Sequence, residues 1–222
     1  MHILVTAGPT REPIDPVRFL TNRSSGKMGY ELASALARKG HTVLLVSGPT
    51  TLDVPDHLDF LPVETAAEMY EAVERHLGRM DIAVFVAAVA DYTPATVPTQ
   101  KIKKSGGSFM LELVSTRDIL GSARYPLGFT GTLVGFAAET ECLEAHAREK
   151  LTGKHCDLVI ANDVSKSGRG FDSDDNEVML VYPDHSTALP PATKHELAHQ
   201  LADAIFELHA MRVARVGDAS SS

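Results

Sequence analysis

Gly26-Lys27-Met28-Gly29-Tyr30-Glu31-Leu32-Ala33-Ser34-Ala35-Leu36-Ala37-Arg38-Lys39-Gly40-His41-Thr42-Val43-Leu44-Leu45-Val46-Ser47 decides the fold class. Gly26 to Lys39 carries an amphipathic helical pattern, Gly40 stands where a helix takes its C-cap, and Thr42 to Ser47 is a short β-branched apolar run. Ile3 to Thr6 is another such run, so the chain opens strand, helix, strand. The alternation continues, with strands expected at Ile82 to Ala87, Leu133 to Ala137, Leu158 to Ala161 and Val178 to Tyr182, and helices at Thr65 to Leu77, Glu141 to Leu151 and Lys194 to Met211. Short apolar strands alternating with amphipathic helices predict an α/β fold, a Rossmann-like, mostly parallel sheet flanked by helices. Ligands of such folds sit beyond the carboxyl ends of the strands. The loops expected there are Ala7 to Asn22, Val89 to Lys104, Ala138 to Glu141 and Asn162 to Asp175.

Between Asp91 and about Leu113 come Pro94, Pro98, a lysine-rich run, Gly106-Gly107 and a strand-like Phe109 to Val114. This predicts a hairpin-like flap over residues 91–114. Residues 1–212 are expected to form one domain and 213–222 a disordered tail. At 222 residues, 44% hydrophobic and 23% charged, the chain can bury a core in a single domain. No apolar run approaches membrane-spanning length, and Met1 leads straight into a strand without a basic leader, so a cytoplasmic location is expected. Cys142 and Cys156 have no metal-like spacing and read as reduced packing thiols. A net charge of −8 argues against general nucleic-acid binding. An anionic small molecule then needs a local cationic cluster, for which Lys101, Lys103 and Lys104, or Lys150 and Lys154, are candidates.

Asn22-Arg23-Ser24-Ser25-Gly26-Lys27-Met28-Gly29 sets hydroxyls, glycine and a cation at a helix start. Amides there carry partial positive charge, Ser24 and Ser25 can donate hydrogen bonds, and Gly26 lets backbone approach a phosphate. Lys27 adds charge. The segment is not a Walker A loop, since Gly-Lys is followed by Met28 and the leading glycine would fall on Thr21. Nor does Gly8-Pro9-Thr10, with a long loop behind it, supply the tight glycine turn of nicotinamide dinucleotide binding. His195-Glu196-Leu197-Ala198-His199 fits a zinc peptidase pattern, but it lies on a terminal amphipathic helix with Leu197, Leu201, Ile205 and Leu208 as its apolar stripe, and reads as coincidence. Asp172 to Glu177 lacks the glycine of a calcium loop.

Four blocks carry a family likeness. Thr6-Ala7-Gly8-Pro9-Thr10-Arg11-Glu12-Pro13-Ile14-Asp15-Pro16-Val17-Arg18 with the Asn22 loop is the first, and Ala87-Ala88-Val89-Ala90-Asp91-Tyr92 leading to Lys101-Ile102-Lys103-Lys104 the second. Gly135-Phe136-Ala137-Ala138-Glu139-Thr140 and Ala161-Asn162-Asp163-Val164, followed by Gly170-Phe171 and Ser173-Asp174, are the third and fourth. In order and spacing, from about Ile3 to Leu208, they resemble the phosphopantothenoylcysteine synthetases of coenzyme A biosynthesis. The resemblance implies joining 4′-phosphopantothenate to L-cysteine. CTP activates the carboxylate with release of pyrophosphate, and the cysteine amine then displaces CMP. Mg²⁺ accompanies the triphosphate, with no protein side chain assigned to it. Use of ATP, or nucleotide binding without ligation, are the alternatives.

The same resemblance implies roles for single residues. Asn22 stands where the family holds the acyl-nucleotide, its amide polarising the acyl carbonyl, and Lys101 where a flap lysine meets the triphosphate. Ala88, Asp91, Phe136, Lys150, Lys154 and the backbone of Arg117, Asp118, Ile119 and Leu120 are implied nucleotide contacts. Ser24, Ser25, Gly26 and Lys27 are the candidates for the phosphate of phosphopantothenate, from the anion-site argument above. A homodimer completing its sites across the interface is implied as well. Thr116-Arg117-Asp118 departs from the family's Asn-Pro-Asp or Thr-Pro-Asp step. The flavin-dependent decarboxylase that many bacterial members carry in front is absent from this sequence, so a stand-alone synthetase feeding a separate phosphopantothenoylcysteine decarboxylase is expected.

Overall fold

The computed structural model describes residues 1–104, 106–139, 141–163, 175–176 and 178–219. Val164, Gly170-Phe171, Ser173-Asp174 and most of the acidic run 172–177 lie outside the described residues, as do Ser105 and Thr140. In chain order the elements are β1 (His2–Ala7), β2 (Arg11–Pro13), β3 (Phe19–Thr21), α1 (Lys27–Arg38), β4 (Thr42–Ser47), β5 (Asp59–Pro62), α2 (Ala66–Leu77) and β6 (Ile82–Phe85). There follow β7 (Tyr92–Pro94), β8 (Leu113–Ser115), α3 (Ile119–Arg124), β9 (Thr132–Glu139), α4 (Leu143–Gly153), β10 (Leu158–Asp163), β11 (Asp175–Asn176), β12 (Val178–Val181), β13 (Ser186–Ala188), β14 (Ala192–Thr193) and α5 (Lys194–Ala219).

Eight strands form the main sheet in the order β13-β12-β10-β9-β6-β1-β4-β5. From β5 across to β10 neighbours run parallel, and β12 and β13 close the edge antiparallel. This is the expected mostly parallel α/β sheet. One face packs α1 and α5 through Leu32, Leu36, Leu197, Leu201 and Ile205 onto Ile3, Val5 and Ile160. The other packs α2, α3 and α4 through Met69, Val73, Leu120 and Leu151 onto Leu4, Leu133 and Val159. Strands buried on both faces are why β1, β6 and β10 read as continuous apolar runs.

The chain leaves β1 toward β4 on one side and returns with β6 on the other, so the strand order reverses between β1 and β6. A crevice opens at such a point. It is stiffened past the strand ends, where Ala88 N–H donates to Gly8 O at 2.9 Å and Thr10 N–H to Ala88 O at 3.3 Å. Thr10 is fully buried, and its Oγ1 accepts from Ala90 N–H at 3.0 Å.

Three local outcomes depart from the sequence reading. β2 and β3 pair as an antiparallel hairpin within what reads as a loop. The flap is anchored by β7 pairing with β8, so of the strand expected over Phe109 to Val114 only Leu113 and Val114 are in a strand, which runs on to Ser115. α5 continues to Ala219, so residues 213–219 of the expected tail are helical.

Candidate active site

A cleft of about 480 Å³ lies beyond the carboxyl ends of β1, β6 and β9, where the strand order reverses. Two walls of opposite origin face it. The first is the start of α1, where Ser24, Ser25, Gly26 and Lys27 line the cleft. Gly26 sits at φ +79, and a Cβ there would lie 2.8 Å from Thr50 Cγ2. Only glycine fits that turn. Having no side chain, Gly26 leaves the first turn of α1 without a side-chain cap, and no acidic residue occupies that turn. Ser24 Oγ accepts from Gly26 N–H at 3.3 Å and Ser25 Oγ from Lys27 N–H at 3.5 Å. A twelve-residue helix start with no cap from Gly26 and no acidic residue in its first turn favours an anion.

The second wall is α3 with α4. Asp118 caps α3 by accepting from Gly121 N–H at 2.8 Å and pairs with Lys154. Burial pushes its carboxyl up, but Lys154 and the Gly121 amide outweigh this and hold it below the ordinary carboxylate range. Lys150 Nζ donates to Phe136 O at 2.6 Å; burial pushes its ammonium below the ordinary lysine range even though Glu139 pulls the other way. Asp91, Ala88, Arg117, Ile119, Leu120 and Phe136 also line the cleft. Arg117 lays its guanidinium over the Tyr70 ring at 4.7 Å, which anchors the α3 loop to α2. Cys156, behind this wall, has its thiol pushed up to about 12 by burial and is a packing residue.

Asn22 lies at the cleft margin. Its Nδ2 donates to Ala88 O at 3.0 Å and Val89 O at 3.1 Å, committing both amide hydrogens. With the amide nitrogen engaged in this way, the acceptor Oδ1 is the group left for a ligand, and it can hold an amine N–H.

Lys101 is not in the cleft. With Arg18, Lys103 and Lys104 it surrounds a second hollow of about 500 Å³ under the flap. The flap is latched there by Asp15, whose buried carboxylate accepts from Val17, Arg18 and Ile102 N–H at 2.9–3.0 Å and from the Arg18 guanidinium. The Arg18 guanidinium beside it holds the Asp15 carboxyl well below the usual range.

Two cleft residues were missed. Asn162 lines the cleft with Oδ1 buried and without a partner, and Lys194, 5% exposed, lines it from the start of α5. In sequence Lys194 reads as a solvated residue ahead of an apolar stripe. His195, from the zinc-like pattern, pairs with Glu31 at 2.9 Å, and among the described residues no three His, Cys, Asp or Glu side chains gather to hold a metal.

Residues 1–208 match the family described as the DNA/pantothenate metabolism flavoprotein C-terminal domain. The coenzyme A biosynthesis bifunctional protein CoaBC of Bacillus subtilis (strain 168) is 48% identical over 212 residues, covering 93% of this chain and 51% of that protein. A crystal structure of the C-terminal domain of a CoaBC protein is 41% identical, with TM-score 0.77, covering 92% of this chain and 93% of that one. The DNA/pantothenate metabolism flavoprotein from Streptococcus pneumoniae, at 24% identity and TM-score 0.81 over 94% of this chain and all of that one, shares the fold. The chain spans about half the length of the curated relatives it matches, and these are bifunctional proteins rather than stand-alone synthetases. With the whole Rossmann-like core and both cleft walls inside the matched region, the chain belongs to the DNA/pantothenate metabolism flavoprotein C-terminal domain family.

Proposed function

We propose that this domain ligates 4′-phosphopantothenate to L-cysteine by way of an acyl-cytidylate, working as a cytoplasmic homodimer. The observation that carries the reading is one cleft lined on one side by the α1 start, which has no acidic residue in its first turn, and on the other by Lys150 and Lys154. The names of the relatives, which place them in coenzyme A biosynthesis, support it.

A carboxylate is a poor acyl donor because oxide would have to leave. In the first step its oxygen attacks the α-phosphorus of CTP, the bond to pyrophosphate breaks, and an acyl–phosphate anhydride forms. Cationic groups offset the charge crowding onto phosphorus. Lys150 and Lys154 serve at the nucleotide, and Lys101 acts from the flap. In the second step the cysteine amine attacks the acyl carbon, loses a proton and displaces CMP. Asn22 Oδ1 orients that amine, while its Nδ2 bonds fix the side chain on the Ala88–Val89 strand extension. Mg²⁺ would fit as a companion of the triphosphate, with Asp91, the cleft carboxylate not paired with Lys154, as the side chain that would help to hold it. When bound it neutralises part of the triphosphate charge.

The homodimer rests on two features. Lys101 lies away from its own chain's cleft. The hairpins that carry the flap also expose Val17, Phe19, Tyr92, Phe109 and Met110, the last 92% accessible. Apolar side chains gathered on adjoining hairpins mark an association surface. The cytoplasmic reading accords with a chain in which, among the described residues, no helix is long and apolar enough to cross a membrane.

The test is pyrophosphate release with phosphopantothenate and CTP or ATP, before and after cysteine is added. Release with CTP exceeding that with ATP, followed by CMP on adding cysteine, is expected. Release favouring ATP would reassign the nucleotide, and nucleotide binding without release would end the ligase reading.

A further inference from the structure

We infer that Lys194 is a ligand-binding residue of the cleft, its ammonium contacting a phosphate oxygen of the bound nucleotide beyond the α-phosphate; this deepens the ligase reading and takes its ligands from it. Lys194 opens α5 and is only 5% exposed, yet it lines the cleft together with Ser25 and Gly26. α1 and α5 pack on the same face of the sheet and share one apolar core. Lys194 therefore sits on the α1 side of the same cleft that Lys150 and Lys154 line.

The position has two costs, which a bound anion would reduce alongside the interaction Lys194 already makes within the protein. Lysine is rarely so buried, because its charge loses hydration. A cation in the first turn of a helix also opposes the helix dipole, which favours negative charge there. An ammonium has three donors, so it can keep a protein partner and still give one N–H to a phosphate. Asn162 adds a second, independent sign of a ligand, since its Oδ1 is buried in the same cleft without a donor. An orphaned acceptor of this kind asks for a hydroxyl or N–H. A nucleotide brings both, phosphate oxygens for Lys194 and ribose hydroxyls for Asn162. The phosphate of phosphopantothenate shares the oxyanion chemistry and is the other source.

The test is calorimetric titration of the full chain and of Lys194→Met and Lys194→Arg with CMP, CDP and CTP, and with pantothenate and phosphopantothenate. Lys194→Met should weaken CTP or CDP by about tenfold or more, the worth of one charge-assisted hydrogen bond, while CMP stays within about twofold. Lys194→Arg should recover part of the loss. A loss confined to phosphopantothenate, relative to pantothenate, would move the contact to the acid and overturn the nucleotide assignment. Equal loss for all five ligands, or none, would overturn the inference outright. Each comparison is made within one variant, so a fraction of unfolded protein does not alter it. Failure of the ligase reading is seen separately, as absent pyrophosphate release by the unaltered chain.

Discussion

Gly29 joins the fold to the site, and replacing it with alanine tests that joint. An added Cβ would lie 2.6 Å from Ala7 Cβ and 3.2 Å from Ala7 Cα. Carbon atoms pack at about 3.5–4.0 Å, so one partner must retreat by roughly 1 Å. Ala7 cannot, because it is fully buried in β1 with β4 hydrogen-bonded beside it. The start of α1 must therefore lift, carrying Gly26 and Lys27 with it. Overpacking costs about 1–3 kcal/mol, and the gain in helix propensity returns just under about 1. A net loss of up to about 2 kcal/mol should lower Tm by up to about 8 °C. Function should suffer more, since a displacement of about 1 Å at a positioned group can cost on the order of 10²-fold. Thermal unfolding and pyrophosphate release, measured on Gly29→Ala and on Gly29→Ala with Ala7→Gly, separate the two. The second change removes the colliding methyl and should restore most of the activity despite its own cost of about 0.5–1 kcal/mol. Wild-type activity in the single variant, or a double variant no better than the single, would refute the claim that this contact sets the anion loop.

Asn22→Asp should keep the fold but place a charge beside an anionic intermediate, so acyl-nucleotide accumulates in quenched-flow samples; normal ligation would remove the assignment. Lys101→Gln should lower pyrophosphate release by about 10²-fold or more against modest effects at Lys103 and Lys104, and mixing it with Asn22→Asp should partly rescue activity if sites are shared across a dimer. Lys150→Met should leave unfolding stability unchanged or raised, because a desolvated cation is removed, while CTP affinity measured by titration falls about tenfold or more. The Asp15 carboxyl is held low in the folded chain, so its stabilisation is complete above the unfolded value near 4 and is lost as pH falls below it toward the folded value. Urea midpoints against pH should show this acid limb flattened in Asp15→Asn, with faster amide exchange at Ile102 if Asp15 latches the flap.

The central sheet was legible because its signals are local. β1, β4, β6, β9, β10 and β12 are apolar runs that stand out from their flanks, and Thr65 with Glu68 announces α2 by a capping box that the structure forms. β2 and β3 were not legible, since three-residue strands held by Pro13, Asp15 and Arg18 have no periodicity to read. The six-residue α3 is equally short, and only its cap, Asp118, carries a local signature. For the site, chain order brought Ser24 to Lys27, Asp91, Phe136, Lys150 and Lys154 to one cleft, because each lies just past a strand end or on a helix beside one. Asn22 could be placed, but the state of its amide could not. That depends on the carbonyls of Ala88 and Val89, more than sixty residues away.

Lys101 and Lys194 together define what such reading leaves out. Both are lysines near an expected anion site, and sequence weights them by motif, which selects Lys101 and passes over Lys194. Packing reverses the order within one chain: Lys194 is buried in the cleft and Lys101 is exposed beside the flap. The cost of desolvating a charge makes the buried lysine the more constrained of the two, because an exposed one loses little by having no ligand. If both meet phosphate, they do so differently. Lys194 is preorganised and contributes to ground-state affinity, whereas Lys101 must arrive by flap movement or from a second chain and contributes where charge peaks in the transition state. Substitution at Lys194 should therefore appear mainly in nucleotide affinity, and substitution at Lys101 mainly in the rate of pyrophosphate release.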